Sequence, residues 1–195
     1  MIKMKKTTII LSVFFVLTAF TAAINTWKND KPHSQLAFTV THLGISDISG
    51  TFNDFDVTVN SSKPDFSDAS FELTAKTASI DTRVEARNNH LKSADFFDAV
   101  KYPELIFKST SLEKQDMDNY KLSGNLTMHG ITKPVTMNLK YRGITQNPMS
   151  KATTAGFQLD GVIKRSDFNI GAGFPAPMLS DEVRIKADGE FIKKQ

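Results

Sequence analysis

The stretch that decides the fold is Tyr120–Tyr141, "YKLSGNLTMHGITKPVTMNLKY". Tyr120, Leu122, Gly124, Leu126 and Met128 fall on every second position, and Val135, Met137, Leu139 and Tyr141 repeat the pattern. A period of two is the mark of a strand with one face in an apolar interior and the other in water. The connection "HGITKP" (His129–Pro134) is short, which favours antiparallel neighbours.

The same period recurs outward from this pair. "QLAFTVT" aligns Leu36, Phe38 and Val40, and "FDVTV" aligns Phe55, Val57 and Val59. Phe52 falls out of phase with the latter, which predicts a bulge near Asn53-Asp54. "ASFELTA" aligns Ala69, Phe71, Leu73 and Ala75, and "LIFKSTSL" reads as a further, ambiguous strand. "AGFQLDGVI" and "VRIKADGEF" align Ala155, Phe157, Leu159, Gly161 and Ile163, then Val183, Ile185, Ala187, Gly189 and Phe191. About eight antiparallel strands, each with one apolar face, close well into a barrel and leave no exposed edges. A two-sheet sandwich is the alternative. The polar faces carry full charges, such as Glu72 and Lys76 or Arg184, Lys186 and Asp188. Facing lipid, these would be prohibitive, so the apolar set points inward and the barrel is soluble.

Barrels of this size are either filled by side chains or hold one small ligand. The inward columns include the small residues Ala69, Ala75, Gly124, Ala155, Gly161, Ala187 and Gly189. These either leave an apolar void or match large neighbours across the core, and periodicity does not decide between the two.

The N-terminus reads separately. Lys3, Lys5 and Lys6 precede "TTIILSVFFVLTAF", and Thr21–Ala23 supply small residues for cleavage. These are the parts of a secretory signal, assigned to residues 1–23, with the mature domain over 24–195. An uncleaved membrane anchor is the alternative. The chain has 24 Lys+Arg against 21 Asp+Glu, and three of the lysines lie in the signal, leaving 21 against 21. The basic balance therefore belongs to export, and no nucleic-acid partner is expected. With no Cys, thiol chemistry and disulfides are excluded.

"NNHLKSADFFDAVKYPELIFKS" (Asn88–Ser109) interrupts the strands. Val84–Ser93 is expected as a short helix over one barrel end, aided by Glu85 near its start and Leu91 on its apolar side. Phe96 and Phe97 then turn inward, as a plug or a ligand wall, and Tyr102-Pro103 ends the excursion. His33, His42, His90 and His129 lack the spacing of a zinc motif, so no metal is assigned. They are expected to hydrogen-bond at barrel ends. Neither a G-x-S-x-G elbow nor a glycine-rich phosphate loop is present, and no catalytic residue is assigned. Asp95, Arg165 and Asp167 read as rim residues that cap turns and pair.

"SIDTRVEARNNHLKSADFFDAVKYPELIFKS" (Ser79–Ser109) resembles the signature region of the YceI-like family of polyisoprenoid-binding proteins. So do "HSQLAFTVTHLGISDISGTFNDFD" (His33–Asp56), "LSGNLTMHGITKPV" (Leu122–Val135), "IKRSDFNIG" (Ile163–Gly171) and "LSDEVRIKADGEF" (Leu179–Phe191). The resemblance implies an all-β fold, an extended eight-stranded antiparallel lipocalin-like barrel, with a short helix and loop covering one end. It also implies a non-enzymatic protein, periplasmic or secreted, that carries, buffers or stores a long-chain isoprenoid lipid such as a quinone or polyprenyl phosphate. The lipid is then the ligand, and no other cofactor is expected. The tunnel candidates are Phe38, Val40, Phe71, Leu73, Leu126, Met128, Met137, Phe157 and Leu159, with Phe96, Phe97 and Phe168 near the ends. Arg87 or Arg165 would meet a polar head. Transient membrane contact for loading belongs to this expectation, and the oligomeric state is open, a dimer included. The chain departs from the family pattern at Asn88, where Asp is usual, and at Asn169, where Gly is usual; Asn can adopt the left-handed conformation that Gly would supply. The contrasting reading is a filled barrel acting through rim polar residues, as an export-compartment enzyme or a protein-interaction module.

Overall fold

In a computed structural model of the chain, residues 23–194 are described, so the signal expected over 1–23 lies outside the described residues but for Ala23. The elements in chain order are β1 (Asn25–His42), β2 (Ser46–Phe52), β3 (Phe55–Ser61), β4 (Ser70–Lys76), β5 (Ile80–Asp81), α1 (Glu85–Lys92), β6 (Glu104–Lys114), β7 (Asn119–Met128), β8 (Ile131–Gln146), β9 (Thr153–Lys164) and β10 (Leu179–Lys193). Neighbouring strands pair in the order β10-β9-β8-β7-β6-β4-β3-β1-β2-β5, and a β10–β1 ladder closes the ring. Eight strands make up the closed antiparallel barrel. The remaining two, β2 and β5, extend it: β2 continues the line of β3 along β1, and β5 pairs with β2.

The expected bulge at Asn53-Asp54 is the break between β2 and β3, and it lets Phe52 and Phe55, three residues apart, both face inward and bury. The "HGITKP" connection is tighter than expected. His129 and Gly130 alone make the turn, with φ of 49° and 74°, and β8 resumes at Ile131. Gly130 is required twice over, because a Cβ there would also lie 2.6 Å from the Tyr102 ring. Pro134 is tolerated inside β8 because Ile131–Met137 pair with β7 alone, and the β8–β9 ladder begins only at Asn138.

Two apolar clusters divide the interior. One, near Trp27 and Phe191, centres on Phe66, which no strand pattern singles out. It sits in the β3–β4 turn at 2% exposure, with ring centroids 5.2 Å from Trp27, 5.2 Å from Tyr141 and 5.1 Å from Phe157. Its φ of 56° is left-handed, which costs a non-glycine residue about 1–2 kcal/mol. The turn holds it there. The Asp68 carboxylate accepts from Ser62 N (3.0 Å), Lys63 N (3.3 Å) and the Ser61 and Ser62 hydroxyls, and the Tyr120 hydroxyl donates to Asp65 O at 3.0 Å. The second cluster lies at the opposite end, beneath α1 and the loops after it.

The helix expected at Val84–Ser93 is α1, flanked by those two residues. Asn88 acts as a neutral bracket. Its Oδ1 accepts from Thr82 N (2.7 Å) and Thr82 Oγ1 (2.6 Å), and its amide donates to Asp81 Oδ1 at 2.9 Å. Phe96 is buried against Phe174, centroids 4.8 Å apart and stacked. Asn169 takes the left-handed conformation, φ 54° and ψ 34°.

Phe66→Ala is expected to destabilise the fold by about 3–4 kcal/mol, the usual cost of emptying an aromatic core site; a chemical-denaturation midpoint within error of the parent would refute the plug. Asp68 gives a pH dependence. Burial pushes its carboxyl up, but hydrogen bonds from Ser61, Ser62 and Lys63 outweigh this and hold it well below the usual carboxylate range. Its contribution is thus present above the unfolded pKa, near ~3.9, and is lost as pH falls through and below it. Asp68→Asn is expected to lose on the order of 1 kcal/mol at neutral pH, a figure reduced for the residue's exposure, and to show a flatter acid limb in stability against pH. Parallel acid limbs in the two proteins would rule this out.

Candidate functional site

The interior between the clusters is not filled. A cavity of about 120 Å³ is walled by side chains that include Phe38, Leu73, Leu126, Met128, Met137 and Leu159, six of the expected tunnel residues. A second, of about 80 Å³, lies towards the Phe66 plug and has Phe71, Phe157, Leu73 and Leu159 in its walls. The two share Leu73, Phe107, Leu159 and Ala187, so they are successive parts of one apolar bore. Among the described residues, no charged side chain walls the larger cavity.

Two of the inward glycines do not open the void. A Cβ on Gly124 would lie 2.5 Å from the Phe107 ring, and one on Gly161 would lie 2.1 Å from Met137 Sδ. Large neighbours already occupy both places. Half-buried side chains from different strands wall the bore, among them Phe38, Leu126, Leu159 and Ile185.

Four expected tunnel residues stand elsewhere. Val40 is half-buried and paired with Ile48 and Val183, but it walls neither cavity. Phe168, at 1% exposure, and Phe96 are packed into the second cluster. Phe97 meets Phe52 edge-on at 5.8 Å, and Phe52 walls the larger cavity, so the Phe pair is a plug standing behind the wall. Phe157 does face the smaller cavity, yet its ring also contacts those of Phe66, Phe71, Tyr141 and Phe191. It belongs to the closed end. Wall residues not singled out in advance include Phe52, Leu105 and Phe107. Others, such as Leu36, Val135, Ile163, Ile185 and Ala187, lay in the alternating columns.

Arg165 is corrected from head-group contact to structural clamp. At 8% exposure, it donates Nε–H to Ser180 O (3.1 Å), Nη1–H to Ile170 O (3.0 Å) and Gly171 O (2.7 Å), and Nη2–H to Leu179 O (3.0 Å) and Phe174 O. A guanidinium has five N–H donors, so none is left for a ligand. Arg87 donates Nε–H to Thr82 Oγ1 (2.8 Å) and Nη2–H to Thr82 O (2.7 Å), and it walls neither cavity.

Two of the histidines behave as expected of end residues, His90 meeting Asp95 (3.0 Å) and His129 meeting Phe168 O (3.1 Å), whereas His33 meets Asp30 (2.9 Å) in the irregular part of β1. Among the described residues, no histidine ring is bonded to a serine or threonine hydroxyl. Asp30, His33 and Glu190 bring their donor atoms within 4.8 Å of one another. This is a largely exposed histidine–carboxylate pair already bonded to itself, and we assign no metal to it.

The fold combines an eight-stranded ring around an apolar bore, an α1 bracket at Asn88 and a buried arginine clamp after β9, and the YceI-like domain model matches residues 27–191. The chain belongs to the YceI-like family. It is 36% identical over 176 residues to Protein YceI of Salmonella arizonae, covering 89% of this chain and 91% of that protein. Among solved structures it is similar to the Campylobacter jejuni YceI protein, at TM-score 0.73 and 32% identity, covering 80% of this chain and 90% of that one. A polyisoprenoid-binding domain from Saccharophagus degradans shares the fold, at TM-score 0.67 and 14% identity, covering 88% of this chain and all of that one.

Arg165→Lys is expected to cost about 2–3 kcal/mol, because an ammonium cannot serve five carbonyls arranged for a guanidinium. It should also speed amide hydrogen exchange across residues 170–180; parental exchange rates there would remove the clamp from the account.

Proposed function

We propose that this YceI-like protein binds one long-chain isoprenoid lipid in its barrel, without catalysing a reaction, and acts as an exported carrier, buffer or store. The observation that carries the reading is the continuous apolar bore, whose larger part has no charged wall residue. A cavity of that kind suits an apolar chain, and each methylene brought in from water contributes about 0.8 kcal/mol. The likeness to a polyisoprenoid-binding domain supports the class of ligand. Met128 and Met137 in the wall adapt to a kinked chain, since their side chains have three rotatable bonds and a polarisable sulfur. A lysine-led apolar segment at the start of the chain supports export, to the periplasm or beyond, and loading from a membrane by transient contact follows from so insoluble a cargo.

The test is mass spectrometry of an organic extract from protein purified natively out of its own compartment. A stoichiometric isoprenoid is expected; lipid-free protein that also fails to take up added quinone or polyprenol would favour the filled-barrel alternative. Leu126→Trp, which places an indole in the larger cavity, is expected to abolish lipid loading while the circular-dichroism spectrum stays that of a barrel. Full loading of that variant would show that the chain lies elsewhere.

A further inference from the structure

The barrel wall has a gap. Along β1, the ladder to β3 ends at Lys28↔Thr58, and the ladder to β2 begins only at Ala37↔Thr51. Between them β1 also bulges away from β10, with its register shifting between Asn29 and Ser34. Asn29 substitutes for part of the missing ladder: its Oδ1 accepts from Val57 N at 2.7 Å, and its amide reaches Phe55 O at 3.4 Å. An outer groove of about 550 Å³ lies over this gap. It shares Leu36 and Phe52 with the larger cavity, and Ser34, Gln35, Phe55 and Asp188 with the smaller. The same few side chains thus face the apolar bore on one side and water on the other.

Around this gap carboxylates outnumber cations. Asp30, Asp54, Asp56, Asp188 and Glu190 supply five carboxylates, against Lys31, which sits 3.2 Å from Asp54 and 3.3 Å from Asp56. That leaves −5 + 1 = −4, or −3 with His33 protonated. Lys28 reaches Thr58 on the adjacent pair, and counting it still leaves the rim negative. Lys76 also feels the charges of Asp54 and Asp56, but it comes paired with Glu104, so the two together leave the balance unchanged. The neutral polar side chains at the rim are Ser34, Gln35, Thr51 and Asn53.

We propose that this lateral gap is where the head of the bound lipid emerges, and that its acidic rim selects uncharged heads, an alcohol or a quinone, over phosphate and pyrophosphate heads. This rests on the isoprenoid reading of the bore and narrows it. A phosphate beside a rim where carboxylates outnumber cations is repelled, and the repulsion weakens as salt screens it. An alcohol or quinone oxygen carries no such penalty and meets Ser34 and Gln35.

The test uses delipidated mature protein and three probes with the same isoprenyl chain, ending in an alcohol, a benzoquinone or a monophosphate. Binding is followed by calorimetry at low and high salt. The alcohol and quinone are expected to bind alike, and the monophosphate at least about tenfold more weakly at low salt, with the gap narrowing as salt rises. In the combined variant Asp54→Asn, Asp56→Asn and Asp188→Asn, checked by its melting curve, the monophosphate is expected to come within about threefold of the alcohol. A monophosphate that matches the alcohol in the parent protein, or a gap unchanged in the variant, overturns the head-group assignment alone. Failure of all three probes to bind overturns the isoprenoid reading and this inference with it.

Discussion

The β1–β10 ladder is the constraint on which the rest of the molecule depends. The two strands are paired along nearly their whole length, from Trp27↔Lys193 to His42↔Leu179, and this pairing turns a curled sheet into a ring. Closure fixes the bore, and it also obliges β1 to serve two partners on its other side, β3 near the termini and β2 beyond. One strand following two partners cannot keep one register. The mismatch collects at Asp30–His33, where Pro32 could not have donated to a ladder in any case. The gap in the wall is therefore a geometric result of closure, and its acidic rim is what the sequence has placed there.

Within a ring of fixed width, the side chains then settle what is solid and what is hollow. Towards the termini Phe66 fills the axis, and the aromatic rings of Trp27, Tyr141 and Phe157 pack around it. The left-handed backbone that carries Phe66 would not persist without the Asp68 and Tyr120 hydrogen bonds that hold the turn. At the other end Phe96, Phe97 and Phe168 form a second solid layer, fastened by Arg165 through five carbonyls of the segment after β9. The bore is the space between two plugs, each held by polar contacts to a connection between strands.

This division marks what was legible in the sequence. Alternation is a local property, so the columns of β4, β7, β8, β9 and β10, the bulge before Phe55 and the helix at Glu85–Lys92 could all be read from neighbouring residues. The plugs and the clamp depend on contacts distant along the chain. Phe66 lies in "KPDFSDA", a polar turn with no period, and its only signal was an aromatic where aromatics are costly to expose, the same signal that did locate Phe96 and Phe97. Arg165 reads both as a rim residue and as a head-group contact; that backbone carbonyls take all five donors depends on the path of residues 170–180. Pattern also left the filling of the bore undecided, since a glycine column reads the same whether Phe107 or nothing stands over it.

The distinction matters for how the bore would accept a chain. Its two parts, about 120 and 80 Å³, fall short of the ~300–1,000 Å³ of ordinary ligand pockets. Under the proposed function, room must come from side chains that can move without breaking the ring. Met137, folded over Gly161, and Phe107, folded over Gly124, are of that kind: each covers a glycine inside the barrel, and neither is fixed by a hydrogen bond. Rotating either away leaves both neighbouring strands paired. The aromatic plug at Phe66 is the opposite case, since displacing it would also open a hydrogen-bonded turn. Expansion along the bore is thus favoured over expansion through its closed end, which leaves the gap beside β1 as the exit with the least structure to disturb.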